Sequence, residues 1–134
     1  MPVVRQEVLA IGSSTDVVAV RQRVRLAALE LRFSLVDQTK MVTAASELAR
    51  NTLEHGKGGS CRLEILDEPP RKGLRLTFED GGPGIANVEL ALQDGYTTGN
   101  GLGLGLGGSK RLVNEFAIES RAGEGTRITV VKWK

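Results

Sequence analysis

The spacing of apolar and polar residues changes along this chain and sorts it into strands and helices. Val3 to Ile11 is rich in β-branched residues and alternates in part, which predicts a strand ending at the turn formers Gly12-Ser13-Ser14. From near Asp16 the period lengthens. Val17, Val20, Val24, Leu26, Leu29 and Leu31 recur at roughly helical spacing, with Ser14, Thr15 or Asp16 as the expected N-cap. Arg21, Arg23 and Arg25 on this helix read as a solvated basic face, which also suits an acidic partner. A second helix is expected from near Asp37 through Met41 to Leu53, stopping at His55-Gly56, where glycine can take a left-handed cap. Alternation returns in Ser60 to Leu66 and Leu74 to Phe78, with Pro69 to Gly73 as the hairpin connection. After Asp80 the pattern predicts a glycine-rich turn, a short helical segment near Asn87 to Leu92, and a loop from Gln93 to Gly103. A helix from about Leu104 to Glu115 and two strands, Phe116 to Ser120 and Thr126 to Trp133, complete the chain, the strands joined by the turn Ala122 to Gly125. The fold class is α/β in content, an α+β two-layer sandwich with a mixed, mostly antiparallel sheet and helices on one face.

Composition narrows this picture. A chain of 134 residues with 40% hydrophobic content supports one core and one domain, residues 1–134. The 18 basic and 16 acidic residues leave a net charge of +2, and 4% aromatics offer few platforms for stacking bases, so nucleic acid is not the expected partner. Cys61, the lone cysteine, has no internal disulfide partner and reads as a small apolar strand residue. Met1-Pro-Val-Val-Arg5 lacks the layout of a signal peptide, and no apolar run approaches membrane-spanning length. The expectation is a reduced, cytoplasmic protein with no membrane partner.

Three stretches carry candidate chemistry. Glu47 and Asn51 stand one helical turn apart, so both project from one face of an otherwise apolar, alanine-rich helix. Together they offer a proton acceptor and a neutral oxygen ligand, the modest protein contribution that Mg²⁺ takes when it keeps water and phosphate in its shell. An exposed helix face can carry the same pair with no such role. Asp80 closes a strand where the chain breaks into Gly81-Gly-Pro-Gly84. A carboxylate there can accept a hydrogen bond from an exocyclic amino group while bare glycines admit a flat ring, a combination suited to adenine. A tight turn stabilised by the same aspartate is the plainer alternative.

The third stretch, Gly99 to Gly108, is too glycine-dense to be favoured by folding alone. Its bare N–H groups lead toward a helix whose N-terminus is expected at Ser109-Lys-Arg-Leu, an anion site to which Thr97, Thr98, Ser109, Lys110 and Arg111 can add donors. Gly103-x-Gly105-x-x-Gly108 matches the dinucleotide fingerprint, but no strand leads directly into it and too little chain follows for a βαβ unit. A Walker loop is excluded because no Gly-Lys-Ser/Thr triplet is present.

Taken in order, these stretches resemble the GHKL superfamily of ATP-binding domains and its Bergerat fold. Glu47 to Asn51 is similar to the N box, Asp80-x-Gly82-x-Gly84 to the G1 box, and the ladder ending at Gly108 to the G2 box, with Gly123-Glu-Gly-Thr126 as a fourth match. Within the superfamily the chain resembles the small anti-sigma-factor-type serine/threonine kinases, above all the switch kinases of the bacterial stressosome. Val36-Asp-Gln, Asp94-Gly-Tyr-Thr-Thr98, Glu115-Phe and Lys132-Trp-Lys carry that likeness, and Asn51-Thr-Leu-Glu-His-Gly56 departs from it toward the anti-sigma branch.

The resemblance implies roles. Glu47 would be the general base toward a serine or threonine hydroxyl, and Asn51 the Mg²⁺ ligand within an ATP site. Asp80 would hold the adenine amino group, with Thr126 assisting through water and Gly82 and Gly84 shaping the base pocket. Gln93 to Gly108 would be a lid, with Gly101, Gly103, Gly105 and Gly107 as its hinges, Gly108 ending the phosphate loop, and Lys110, Arg111 or Arg50 neutralising phosphate. His55 has a plainer account, a favourable meeting with the negative end of its helix. The implied partners are STAS-domain substrate proteins and a PP2C-type phosphatase that the freed kinase activates. Two other readings stay open: a non-catalytic nucleotide-binding module that sequesters a sigma factor, and a free-standing piece of a histidine kinase or ATPase.

Overall fold

In a computed structural model, which describes residues 3–93 and 105–134, the two sequence periods build two layers. The elements are β1 (Val3–Ile11), α1 (Ser14–Glu30), α2 (Leu35–Glu54), β2 (Gly59–Glu68), β3 (Arg71–Asp80), α3 (Val88–Ala91), α4 (Gly105–Lys110), β4 (Glu115–Ser120) and β5 (Thr126–Trp133). The strands form one five-stranded sheet in the order β1-β2-β3-β5-β4, and every neighbouring pair is antiparallel.

Local chemistry explains the ends of the helices. The cap of α1 is Ser13, upstream of the three residues expected: its Oγ accepts from Asp16 N–H at 3.2 Å, and the Asp16 carboxylate accepts from Gly12 N–H at 2.8 Å. Asp16 N–H also reaches Ser13 C=O at 3.1 Å, so the two side chains fasten the first turn from both sides. Ser34 caps α2 in the same way through Asp37 N–H at 3.1 Å, so this helix starts two residues before Asp37. At its other end the expected left-handed glycine is displaced: Lys57 (φ 59°) and Gly58 (φ 102°) carry the left-handed turn, and Gly56 does not.

Two further boundaries differ from expectation. The hairpin between β2 and β3 turns on Pro69-Pro70 alone, whose peptide bond is cis, because Arg71 to Gly73 already pair with β2. The helix expected to reach Glu115 stops at Lys110. Three glycines in six residues make a weak helix, and the following chain is drawn to the sheet, where Asn114 N–H donates to Val131 C=O at 2.9 Å.

The core lies between the sheet and the helices. Cys61, Leu63 and Ile65 of β2, Leu74, Leu76 and Phe78 of β3, and Ile128 and Val130 of β5 meet Val20 and Val24 of α1 and Met41, Ala45 and Leu48 of α2. Cys61 is fully enclosed there. Among the described residues no helix is long and apolar enough to cross a membrane.

Candidate functional site

The candidate site begins where the hydrophobic face of the sheet runs out. With a side-chain period of two, Leu74, Leu76 and Phe78 face the helices, and so must Asp80. Phe78 pairs with Ile128, which pairs with Ile118; one step on, Asp80 pairs with Thr126, which pairs with Ser120. The last row of the core face is therefore polar, and cross-strand neighbours in such a row stand about 4.5–5.5 Å apart at Cβ.

Close backbone approaches fasten loops around that row. Gly84 (φ 73°) lies against Arg121 C=O, and Gly125 (φ 84°) against Asp80 C=O, so tightly that a side chain at either would overlap those carbonyl groups. Gly82 meets the backbone of Gly56. Gly56 itself lies against the Asp80 carboxylate, so its lack of a side chain serves clearance rather than a left-handed cap. Asp80 Oδ1 accepts from Gly82 N–H at 3.0 Å, which stabilises the turn. The second carboxylate oxygen, Oδ2, faces Gly56. One aspartate thus serves the turn through one oxygen and has another to offer.

Helix α2 reaches the same place from the opposite layer. Glu47, Asn51 and His55 follow at intervals of four and share a helix face. At its C-terminal end His55 Nε2 bonds Gly84 C=O at 3.1 Å; a carbonyl only accepts, so Nε2 carries the proton. The expected role at the helix dipole misses this bond, which ties the face of Glu47 and Asn51 to the turn after Asp80. The Glu47 side chain is only 17% exposed and accepts from Arg50 Nη1 at 2.9 Å. Arg50 is therefore engaged by the carboxylate. Asn51 Nδ2 is buried with no hydrogen-bond partner among the described residues, at a cost of roughly 1–3 kcal/mol.

A cleft of about 630 Å³ opens at this end of the sheet, walled by Asp80, Val88, Ile118, Ser120, Gly125 and Thr126 and by the charged Glu79, Glu119, Arg121, Glu124 and Arg127; Glu47, Asn51, Gly82 and Gly84 are not among its lining residues. Small-molecule sites span roughly 300–1,000 Å³. No group of three or more His, Cys, Asp or Glu side chains among the described residues could hold a metal. Cys61 lies away from the cleft, and burial, helped by the charge of Glu7, pushes its thiol up to about 12.

The glycine ladder is placed in part. Gly101, Gly103, Thr97 and Thr98 lie outside the described residues. Gly105 opens α4 with φ 69°, Gly107 is buried against Leu92 C=O, Gly108 is half-buried, and Lys110 is the exposed last residue of the helix. Ser109 and Lys110 thus stand at the C-terminal end of α4, not at a helix N-terminus; Ser109 is buried, and its Oγ donates to Gly105 C=O at 3.1 Å. Sequence reasoning gave Gly56 only a capping role and Ser120 no role in the site. The phase of alternation in β4 would have placed Ser120 in the polar row.

Comparison with known proteins follows the same lines. Residues 36–134 match the family described as histidine kinase-, DNA gyrase B-, and HSP90-like ATPase. The chain is 44% identical over 128 residues to the serine/threonine-protein kinase RsbT of Bacillus subtilis (strain 168), covering 96% of each. It is 32% identical over 118 residues to an anti-sigma F factor of Clostridium kluyveri, covering 82% of each. In fold it is similar to a crystal structure of RsbU and RsbW domains from Mycobacterium tuberculosis, with a TM-score of 0.66 at 21% identity; the match covers 96% of this chain and 31% of that one.

Proposed function

Because this chain belongs to the histidine kinase-, DNA gyrase B- and HSP90-like ATPase family, we propose that it is an ATP-dependent serine/threonine protein kinase. The observation that carries the reading is Glu47, a largely buried carboxylate on the helix face whose far end is bonded to the turn after Asp80. A module that only bound nucleotide would have no use for a base there.

In this reading Asp80 Oδ2 accepts from the exocyclic amino group of adenine, and Gly82 and Gly84, packed against the backbone of Gly56 and Arg121, hold the turn beside it. Thr126 completes the base site beside Asp80. Glu47 takes the proton of a serine or threonine hydroxyl as its oxygen bonds the γ-phosphorus and the bond to the β-phosphate oxygen breaks, so that ADP leaves. The ion pair with Arg50 holds the Glu47 carboxylate in one orientation for that transfer. The donors fit Mg²⁺ carried by phosphates rather than by an all-protein cage: Asn51 would bring a carboxamide oxygen, and its orphaned Nδ2 suits a phosphate oxygen. When bound, the ion supplies charge neutralisation on the phosphates. Gly105, Gly107, Gly108 and Lys110 belong, in the same reading, to the segment that meets the phosphates.

The likeness to RsbT supports a finer assignment: the substrate hydroxyl belongs to a STAS-domain regulator, and the released kinase binds and activates a PP2C-type phosphatase. The likeness to anti-sigma F factors favours a second reading, a nucleotide-set binder that sequesters a sigma factor. Labelled ATP, Mg²⁺ and candidate STAS proteins separate the two. Transfer to a serine or threonine is expected, and Glu47→Ala should keep ATP binding while losing about 10²–10⁴-fold in transfer rate. Normal transfer by that variant would remove Glu47 as the base, and no transfer to any STAS protein alongside tight sigma-factor binding would favour the second reading.

A further inference from the structure

The polar row contains a residue to which the kinase reading gives no role. Ser120 Oγ has three partners: it accepts from Ile85 N–H at 2.7 Å, donates to Gly125 C=O at 3.0 Å, and stands 2.7 Å from Thr126 Oγ1. A serine hydroxyl has one proton and two lone pairs. The carbonyl of Gly125 can only accept, so it takes the serine proton; the N–H of Ile85 can only donate, so it takes one lone pair. What remains on Ser120 is a single lone pair, and the bond to Thr126 must run from the threonine to the serine. The proton of Thr126 is thereby committed, and toward any ligand its oxygen can act only as an acceptor.

We propose that Ser120 is a positioning residue that sets base specificity by locking the Thr126 hydroxyl as an acceptor beside the acceptor Asp80. The inference rests on the reading of this cleft as the adenine site. Thr126 and Asp80 are directly paired across β3 and β5, and both line the cleft with Ser120. Two adjacent acceptors, the Asp80 carboxylate and Thr126 Oγ1, suit the two N–H donors of an amino group at position 6 of a purine. A 6-oxo purine would set the lone pairs of its oxygen where the two amino hydrogens stand, and its N1–H, one ring position on, meets an acceptor only if the base shifts. Ser120 also joins three parts of the wall at once: the end of the turn after Asp80 through Ile85, the β4–β5 turn through Gly125, and β5 through Thr126. Binding and orientation of the base edge are thus built from one hydroxyl that itself need not touch the ligand.

The test is the ratio of ATP to ITP affinity, measured by calorimetric titration on the full chain. Ser120→Ala releases the Thr126 proton, lets that hydroxyl turn toward a 6-oxo group, and should lower the ATP:ITP preference on the order of tenfold, the scale of one hydrogen bond. Should the alanine variant fail to fold in a thermal melt, Ser120→Cys fills the space with a group too weak to hold the threonine proton, and the same fall is expected. Thr126→Ser, which keeps the hydroxyl, should retain the wild-type ratio. An unchanged ratio in a folded Ser120 variant, with ATP and ITP weakened together, would reduce Ser120 to a structural bolt and overturn the proposal. Asp80→Asn separates this from the underlying reading. If it leaves ATP affinity unaltered, the adenine site lies elsewhere and both fall; if it weakens ATP while the Ser120 variants keep the ratio, only the assignment of Ser120 falls.

Discussion

Replacing Gly56 by alanine tests how the site is assembled. The backbone of Gly56 is not left-handed, so alanine meets no conformational penalty there, and on chain entropy alone the change would stabilise by about 0.4–1 kcal/mol. The structure predicts the opposite sign. The added methyl would overlap Cβ, Cγ and Oδ2 of Asp80, and an overpacked methylene in a closed site costs about 1–3 kcal/mol. The three atoms nearest the added methyl all belong to the Asp80 side chain, so the clash should ease when that side chain is removed. In an Asp80→Gly background, Gly56→Ala should cost nothing or stabilise slightly, giving a coupling of about 1–3 kcal/mol in a double-mutant cycle. Urea unfolding supplies the four free energies, with m checked for constancy. In the wild-type background the displaced carboxylate should also weaken ATP binding. Equal costs of Gly56→Ala in both backgrounds would refute the steric account and return Gly56 to an ordinary helix terminus.

Two further outcomes follow from groups away from the cleft. Glu64 is buried, its side chain 8% exposed, and is held by Arg75 through bonds of 2.8 and 3.1 Å; Arg75→Met should therefore cost about 3–5 kcal/mol in urea unfolding by stranding the carboxylate. A loss within 1 kcal/mol would show that water or another cation replaces the guanidinium. Cys61, with its thiol pushed up to about 12 from 9.0, keeps its proton in the folded chain over a range where the unfolded chain loses it. Stability should be unaffected by this group below pH 9 and fall by about 1.4 kcal/mol per pH unit from there toward pH 12. Cys61→Ala should flatten that decline, and parallel stability curves for the two proteins would rule the effect out.

Much of the architecture was legible because it is written locally. Strand β1 and strand β5 have the bounds that alternation predicts, and α1 and α2 follow the longer period, since one face of each element must be apolar. Errors gathered at the ends, where single hydrogen bonds decide: Ser13 displaced the caps expected for α1, Ser34 started α2 ahead of Asp37, and the pull of the sheet on Asn114 ended α4 early. The motifs Asp80 to Gly84 and Gly123 to Thr126 were legible because close backbone approaches and left-handed turns need glycine, and the structure brings both beside the end of the helix that carries Glu47 and Asn51.

By itself, then, the sequence determined the kinds of element and the family to which the ordered motifs belong, and it offered candidates for phosphate chemistry. Tertiary structure alone decided which of them meet. The order β3-β5-β4 brings Asp80, Thr126 and Ser120 into one row, and the end of α2 comes down on that row at Gly56 and His55. The physical reason is that periodicity reports the face on which a side chain stands, while strand order and register, which come from packing distant segments together, decide what stands beside it.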